Sequence, residues 1–384
     1  MPDPARAEIV VDLAAIRRNV RRLRELTGVA MIAVVKADGY GHGMVEAGRA
    51  AREGGAEWLA TATIDEALAL RAAGDTGRVL CWLAVPGEDY VAPIAAGIDV
   101  TAYSVAELDE IAAAVRATGG GRARVQVKLD TGLSRGGAPR SAWREVLEHA
   151  RAGERDGLWT VTGLWSHFAC SDEPEHPAND AQETAFREAL ALADEIGLRP
   201  ELRHLANSAA AVLRPSARFD AVRCGIAIYG LDPAPGRTHD LGLTPAMTAR
   251  ARLAMVKDLD AGASVSYGHI WTADHATTVG LVPAGYGDGI PRHASGRDHG
   301  AEVGIGGKRR PIRGRVCMDQ FVVDLDGDRP ATGDEVVLFG APAAGVPTAQ
   351  DWAEACGTIN YEIVTRIGGR MHRRHVDTDA GSER

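Results

Sequence analysis

The amino-acid sequence predicts an α/β fold: a (β/α)8 barrel of the TIM type followed by a C-terminal, mostly-β domain. Short apolar, β-branched runs alternate with Ala-rich segments of helical periodicity up to residue 242. Eight such runs occur, which is the number and spacing typical of this barrel. After Thr244, valine, threonine and glycine become more frequent and long helical periodicity fades.

The candidate barrel strands are nearly continuous apolar stretches, as is typical of parallel strands buried on both faces. Capping-box spacing of Thr63 with Glu66, and of Ser104 with Glu107, indicates helix starts between them. A doubly wound open sheet would show the same alternation, so the pattern alone leaves that alternative open. The strands are predicted at Met31–Val35, Trp58–Ala62, Val79–Ala84, Asp99–Ala102, Arg124–Leu129, Thr160–Ser166, Leu202–Ala206 and Ala221–Ile226.

The remaining chain predicts short strands between turns of glycine, aspartate and proline. Thr277–Val282, Glu302–Ile305 and Gln320–Leu325 are the candidates. We therefore expect the barrel at residues 1–242, the β domain at residues 243–376 and a disordered polar tail at residues 377–384.

The composition excludes several classes of protein. The 384 residues are 45% hydrophobic and 25% charged, which is ordinary for a globular chain. No apolar stretch reaches the ~18–20 residues that a membrane helix needs. The net charge of −9 argues against a nucleic-acid partner. Five scattered cysteines without a Cys-x-x-Cys pair, and an N-terminus without a visible secretory signal, favour a cytoplasmic protein without disulfides or a bound metal.

Polar side chains occur at the predicted carboxyl ends of the barrel strands, the edge at which barrel enzymes place their active sites. A lysine in a crowded cationic pocket is a candidate to form a Schiff base. The glycine-containing loop after the last strand suits a phosphate group. Together they indicate pyridoxal 5′-phosphate, although a barrel aldolase would show the same features. The strand-end residues are Lys36, Lys128, His167, Asn207, Ser208 and Arg223.

Ordered motifs add a specific resemblance. The segment AVVKADGYGHG at residues 33–43 resembles the cofactor-attachment signature of the alanine racemases. The resemblance continues in order to about residue 370. The further motifs are KLDTGLSR at 128–135, SHFA at 166–169, ANSA at 206–209, VRCGIAIYG at 222–230, VSYG at 265–268, GYGDG at 285–289, GRVCMDQ at 314–320 and TINYE at 358–362.

The resemblance implies a pyridoxal-phosphate enzyme that interconverts L-alanine and D-alanine and supplies D-alanine for peptidoglycan. It implies a homodimer whose active sites lie at the subunit interface. Lys36 would hold the cofactor and act as the base for D-alanine, and Tyr267 of the other subunit would act as the base for L-alanine. His167 would contact both Tyr267 and Arg223. A cationic Arg223 would disfavour protonation of the cofactor's ring nitrogen and so suppress transamination.

The same resemblance assigns the remaining site residues. The cofactor, mainly its phosphate, would be bound by Tyr40, Asn207, Ser208, Gly225, Ile226 and Tyr361. The substrate carboxylate would meet Arg135 and the Met318 amide, with Lys128 carbamylated to orient the arginine. The substrate site would further include Tyr286 at its entryway, Asp319 in its lining and Cys317, whose thiol we expect to be buried and inert.

One departure from the family pattern and three alternatives accompany this interpretation. His269 stands where many members have arginine. A barrel-type pyridoxal-phosphate decarboxylase would need a strand-rich segment before the barrel, for which the early position of Lys36 leaves little room. A non-enzymatic pyridoxal-phosphate carrier would lack the C-terminal domain. A racemase of broader specificity, acting for instance on serine, stays open.

Overall fold

The computed structural model describes residues 5–119, 121–296 and 300–379. The chain divides into two compact units. One, the barrel unit, comprises Ile16–Gly39 and Gly43–Leu243. The other, the β unit, comprises the described parts of Met1–Ala15 and Thr244–Arg384 together with Tyr40–His42.

The barrel unit contains eight parallel strands in the order β8-β7-β6-β5-β4-β3-β2-β9. The first and last strands in this order, β8 and β9, are also joined by backbone hydrogen bonds. Asp220 N donates to Arg203 O, and Arg223 N donates to Ala206 O, both at 3.0 Å. The sheet is therefore a nearly closed barrel, which confirms the predicted fold over the open sheet. Its strands are β2 (Ala30–Val34), β3 (Trp58–Thr63), β4 (Arg78–Leu83), β5 (Asp99–Ala102), β6 (Ala123–Lys128), β7 (Trp159–Trp165), β8 (Leu202–His204) and β9 (Ala221–Cys224).

Helices alternate with these strands, and their starts follow the sequence signals. Thr63 and Glu66 form the complete capping box, whereas Ser104 accepts from Glu107 N at 3.3 Å. Glu107 itself accepts from Tyr103 N. The helices are Leu13–Thr27, Met44–Glu53, Ile64–Ala72, Val91–Ala95, Val105–Ala117, Trp143–Arg155, Pro177–Ile196 and Ser208–Leu213.

The β unit is built on a sheet with the order β11-β14-β17-β16-β15-β18-β10-β1-β19, beside the short pair β12-β13. The β unit also contains two helices, Ala349–Cys356 and Asn360–Arg366. Its strands are β1 (Ala7–Asp12), β10 (Met247–Arg252), β11 (Met255–Leu259), β12 (Ser264–Val265), β13 (Trp271–Thr272), β14 (Thr277–Val282), β15 (Glu302–Ile305), β16 (Lys308–Arg313), β17 (Phe321–Asp324), β18 (Glu335–Phe339) and β19 (His372–Val376).

The N-terminal strand differs from the sequence expectation, which grouped residues 1–242 in the barrel. β1 pairs antiparallel with β10 and parallel with β19. Its burial alternates along the strand, which suits a sheet covered on one face and not a barrel strand buried on both. The chain also stays anchored beyond β19, because Thr378 Oγ1 donates to Asp12 Oδ2 at 2.8 Å. The rest of the expected disordered tail, residues 380–384, lies outside the described residues.

Candidate active site

Lys36 follows β2 and opens a left-handed turn. Ala37, Asp38 and Gly39 have φ values of 52°, 53° and 64°. This conformation is costly for residues with a Cβ, so neighbouring contacts must hold it. Ala37 N donates to Glu66 Oε1 at 2.7 Å, and Gly39 N donates to the Val35 carbonyl at 2.9 Å. The lysine is thus positioned at a strained point of the chain, as reactive residues often are.

The surroundings of Lys36 favour its neutral amine. Its Nζ lies 5.5 Å from the centre of the Trp82 ring. Burial and, to a lesser degree, the charge of Arg135 lower the pKa of Lys36, while the Glu66 carboxylate opposes them. A lysine with a lowered pKa has more of its nucleophilic form at neutral pH, which is what carbonyl attachment requires.

Lys128, the last residue of β6, lies between aromatic rings. Its Nζ is 4.8 Å from the Trp165 ring centre and 5.2 Å from that of Tyr103. Burial, followed by the charges of Arg223 and Arg135, lowers the pKa of Lys128 to about 8. More neutral amine is therefore present near neutral pH than in an ordinary lysine, and only that form can take up carbon dioxide as a carbamate.

Arg223 on β9 is almost fully buried, and five acceptors surround its guanidinium. Its Nη1 donates to His204 Nδ1 at 2.7 Å and to the His204 carbonyl at 3.1 Å. Its Nη2 donates to the carbonyls of Ser166 and Leu205 at 2.7 and 2.9 Å, and to His167 Nδ1 at 3.1 Å. None of these contacts involves Nε. Burial lowers the pKa of Arg223 to about 9, so the group remains a cation at neutral pH.

Arg223 also determines where the protons of two histidines lie. Burial and then Arg223 lower the pKa of both His167 and His204 well below the usual value, so both rings are neutral. Each accepts from Arg223 at Nδ1, and each therefore carries its proton on Nε2. In His204 this proton goes to Gln126 Oε1 at 2.8 Å. In His167 it makes Nε2 a hydrogen-bond donor.

The loop after β9 is joined to the start of a helix. Gly225 N donates to the hydroxyl of Ser208 at 2.9 Å, and Ile226 follows at the start of a short 3-10 helix. Asn207 is the N-cap residue of the Ser208 helix, and its Oδ1 accepts from Ala210 N at 3.1 Å. The structure thus gives the Asn207 side chain a capping role beside the predicted phosphate contacts.

In the β unit, the end of the signature brings two predicted cofactor residues together. The ring centres of Tyr40 and Tyr361 lie 6.3 Å apart. The approach depends on Gly41, since a Cβ there would lie 2.3 Å from the Val364 carbonyl oxygen. Glycine is therefore required at this position for residues 40–42 to pack against the helix that contains Tyr361.

Tyr267 lies in an exposed turn of the β unit, with 68% of its surface accessible. Ser266 before it and Gly268 after it have φ values of 64° and 72°. The nearby hydroxyl of Ser266 donates to the Arg315 carbonyl at 2.7 Å. His269 is exposed and continues the positive-φ run at 45°.

The four residues expected around the substrate from the β unit form one cluster. Tyr286 N donates to the Cys317 carbonyl at 3.0 Å, and Gly287 N donates to the Met318 carbonyl at 2.9 Å. Asp319 Oδ1 accepts from an arginine, Arg370, at 2.6 Å. The Cys317 thiol is half-buried, where the sequence predicts a buried one, because it lies against the exposed Tyr267 turn.

Sequence reasoning missed several residues of these sites. The aromatic walls of Trp82, Tyr103 and Trp165 were not predicted, although Trp165 ends its strand just as Lys128 does. Glu66 was recognised only as a helix cap. His204 ends β8 and could have been found by the strand-end rule that found Lys36.

Family models match most of the chain. The alanine racemase N-terminal domain matches residues 11–233 and the C-terminal domain matches residues 246–375. The alanine racemase of Streptomyces coelicolor is 54% identical over 381 residues, covering 97% of this chain and 96% of its own. That of Mycobacterium avium is 50% identical over 372 residues, covering 96% and 95%.

Solved structures agree with these matches. The alanine racemase of D-cycloserine-producing Streptomyces lavendulae has a TM-score of 0.94 and 51% identity, with 97% of each chain covered. That of Bartonella henselae, solved with covalently bound pyridoxal phosphate, has a TM-score of 0.87 and 27% identity over 97% of this chain and 100% of that one. The resemblance seen in the motifs is confirmed: this chain belongs to the alanine racemase family.

Proposed function

We propose that this chain interconverts L-alanine and D-alanine with pyridoxal 5′-phosphate as its cofactor, and so supplies D-alanine for peptidoglycan. The chain is an amino-acid racemase, as its family membership over nearly the whole length implies. The observation that carries the proposal is a lysine of lowered pKa at the carboxyl end of a barrel strand whose neighbour, β9, carries the buried Arg223.

The residues of the barrel unit fit pyridoxal phosphate. Lys36 would hold its carbonyl carbon. The Ser208 hydroxyl, the Gly225 and Ile226 amides, and the nearby Asn207 would serve the phosphate, joined by Tyr40 and Tyr361 of the β unit. Arg223 has one N–H, on Nε, outside its five contacts, and this donor suits a ring nitrogen. When bound, the cofactor withdraws electrons from the Cα–H bond of the amino acid.

Two residues would exchange the Cα proton, one on each face of the substrate. Lys36 would remove it from D-alanine and return it there, and Tyr267 would do the same for L-alanine. The lowered pKa of Lys36 supports its role, since a base must be largely unprotonated to act. The Nε2 proton of neutral His167 would be donated to the Tyr267 oxygen, which stabilises the phenolate form.

Arg223 would decide whether racemisation or transamination follows removal of the Cα proton. As a cation it can donate a hydrogen bond to the ring nitrogen but disfavours a second positive charge there. Proton return to Cα would then be favoured, and transamination would be suppressed. Accumulation of the amine form of the cofactor during turnover would contradict this assignment.

The substrate carboxylate would meet Arg135 and the Met318 amide. Lys128 would be carbamylated, since its lowered pKa supports the neutral amine and an unmodified cation would repel Arg135. Tyr286 would close the entryway over a small side-chain pocket, with Cys317 and Asp319 nearby. A racemase that also accepts serine remains the second candidate.

We further propose a homodimer with shared active sites, in the cytoplasm. Exposed apolar side chains in both units support a partner surface: Leu83 and Val85 in the barrel unit, and Tyr267 and Met318 in the β unit. The described cysteines are all free, which fits a reducing compartment. No helix of the described chain is long and apolar enough to cross a membrane.

The reaction is tested with purified protein, added cofactor and L-alanine, by following the loss of circular dichroism. Decay to the racemic point, with Lys36→Ala inactive, supports the proposal. A wild-type protein that binds cofactor but leaves L-alanine unchanged contradicts the substrate, and L-serine is then tested.

Shared sites are tested by refolding a mixture of Lys36→Ala and Tyr267→Phe chains. If each site combines both subunits, half the dimers carry one intact site, and about a quarter of wild-type activity returns. If each subunit supplied both of its own bases, the mixture would stay as inactive as its parents.

A further inference from the structure

The backbone on either side of Tyr267 has a conformation that ordinary residues avoid. Ser266 has φ 64° and ψ −173°, a region that is otherwise occupied almost only by glycine. Gly268 has φ 72° and His269 has φ 45°. A serine persists in such a conformation only when its surroundings hold it there.

The segment at residues 314–317 packs against this turn. The Ser266 hydroxyl donates to the Arg315 carbonyl at 2.7 Å and lies 3.3 Å from Cys317 Sγ. The close approach depends on Gly314, because a Cβ there would lie 2.5 Å from the Val265 carbonyl and 3.0 Å from Ser266 Cβ. The side chain of Ser266 is thus the hydrogen-bonding link between the turn and the segment.

The same segment continues into the predicted carboxylate site. Met318 follows it directly, and its carbonyl accepts from Gly287 N at 2.9 Å. The Cys317 carbonyl accepts from Tyr286 N at 3.0 Å. The hydroxyl of Ser266 therefore ties the turn that carries Tyr267 to the chain that carries the Met318 amide.

We propose that Ser266 is a positioning residue for racemisation: its hydroxyl, bonded to the Arg315 carbonyl, holds the phenol of Tyr267 in register with the carboxylate-binding amide of Met318. This inference rests on the proposed function, in which Tyr267 is the base for L-alanine. Ser266 itself touches neither substrate nor cofactor in this scheme.

The reversibility of racemisation determines which kinetic measurements can detect the role of Ser266. Because the equilibrium constant of racemisation is one, a variant must lose the same factor of kcat/KM in both directions. The ratio kcat/KM therefore cannot show which base is impaired, whereas the isotope effects on kcat/KM can. With substrate deuterated at Cα, slowing the Tyr267 step makes that step rate-limiting, so the isotope effect rises for L-alanine and falls toward unity for D-alanine.

The experiment compares Ser266→Ala with a matched control in the same hairpin, Ser264→Ala. Ser264 shares a 2.8 Å hydrogen bond with Thr272 Oγ1 but has no contact with residues 314–317 that the structure shows. We expect Ser266→Ala to lower kcat/KM about 10-fold to 100-fold in both directions, since small misplacements of catalytic groups cost that much. The Ser264→Ala enzyme should behave as wild type in rate and isotope effects.

Ser266→Gly separates the hydroxyl from the backbone conformation. Glycine adopts φ 64° without strain but cannot donate to Arg315. If the hydroxyl is what positions Tyr267, the glycine enzyme shows the same isotope-effect asymmetry as the alanine enzyme. Wild-type isotope effects in both variants, whatever their melting temperatures, would overturn the inference.

Tyr267→Phe distinguishes this failure from failure of the proposed function. If Tyr267→Phe retains full racemisation, the assignment of the base is wrong. If Tyr267→Phe is impaired while both Ser266 variants match wild type, the base is right and the positioning role of Ser266 is wrong.

Discussion

The two candidate bases lie on similar backbone features in very different surroundings. Lys36 opens a left-handed turn and is half-buried, where the charges of Arg135 and Lys128 reach it. Tyr267 lies between residues of positive φ but is 68% exposed. Strained backbone therefore occurs at or beside both candidate bases. At Lys36, burial and the charge of Arg135 also lower the pKa of the amine.

The difference shows that placing a group and tuning its acidity are separate tasks. Burial of Lys36 lowers its pKa within the barrel unit alone. The exposed Tyr267 has no such burial and depends, in our proposal, on surroundings supplied by assembly. Substitutions near Lys36 should therefore alter pH dependence, whereas substitutions near Tyr267 should alter geometry and isotope effects.

The largest effects are expected from substituting the two candidate bases, and the two substitutions should differ in their effect on cofactor binding. Lys36→Ala should abolish racemisation together with the visible absorbance of the bound cofactor, because this lysine serves attachment and proton transfer. Tyr267→Phe should bind cofactor normally and lose activity by about 10²-fold to 10⁴-fold, as expected for one general base. Absorbance spectra and racemisation assays measure both. Loss of cofactor binding in Tyr267→Phe would contradict this separation of roles.

Next in size is the removal of the buried cation. Arg223→Gln cannot replace five contacts, and it leaves buried carbonyls and two histidine nitrogens without a donor. We expect the free energy of unfolding, measured by urea unfolding, to fall by about 3 kcal/mol or more, since each buried group left without a partner costs about 1–3 kcal/mol. The control is Arg203→Gln, whose half-exposed pair with Asp220 should contribute at most about 1 kcal/mol. Equal losses in the two variants would contradict this account.

A smaller effect is expected at Glu66, whose carboxylate holds the turn after Lys36. Glu66 raises the pKa of Lys36, so Glu66→Gln should lower it further. A base of lower pKa stays unprotonated at lower pH, so the acidic limb of kcat for D-alanine, which reports groups in the substrate complex, should move to lower pH. Asp65→Asn, one residue earlier on the exposed face, is the matched control. A limb that moves to higher pH would show that the charge of Glu66 has another role.

The smallest effect concerns His269, a position at which the motif resemblance leads us to expect arginine. His269→Arg adds a fixed charge two residues from Tyr267 and should favour the phenolate. Because the site is exposed and screened, we expect a change in kcat/KM of about threefold or less. His275→Arg, on an exposed residue farther along the chain, is the control. A change beyond tenfold would mean that His269 has a defined part in the site.

Local patterns in the sequence were enough to place the barrel strands and the polar residues at their ends. The predicted strand at Asp99–Ala102 is reproduced to the residue, and the others differ by one or a few residues at their ends. The reason is physical: burial on both faces imposes a continuous apolar run, and parallel strands place their carboxyl ends on one edge. The motif around Lys36 then identified the family.

Other features depend on contacts between segments distant in sequence, which no local pattern encodes. The alternating burial of β1 became interpretable only when its partners, β10 and β19, were known. The five acceptors of Arg223 come from three different loops and strands that barrel closure brings together. The bond from Ser266 to Arg315 spans 49 residues. Periodicity and short motifs were enough to assign the fold class, the family and the candidate reactive residues. How those residues are held and charged became known from the folded structure, because hydrogen bonds and burial arise where distant segments meet.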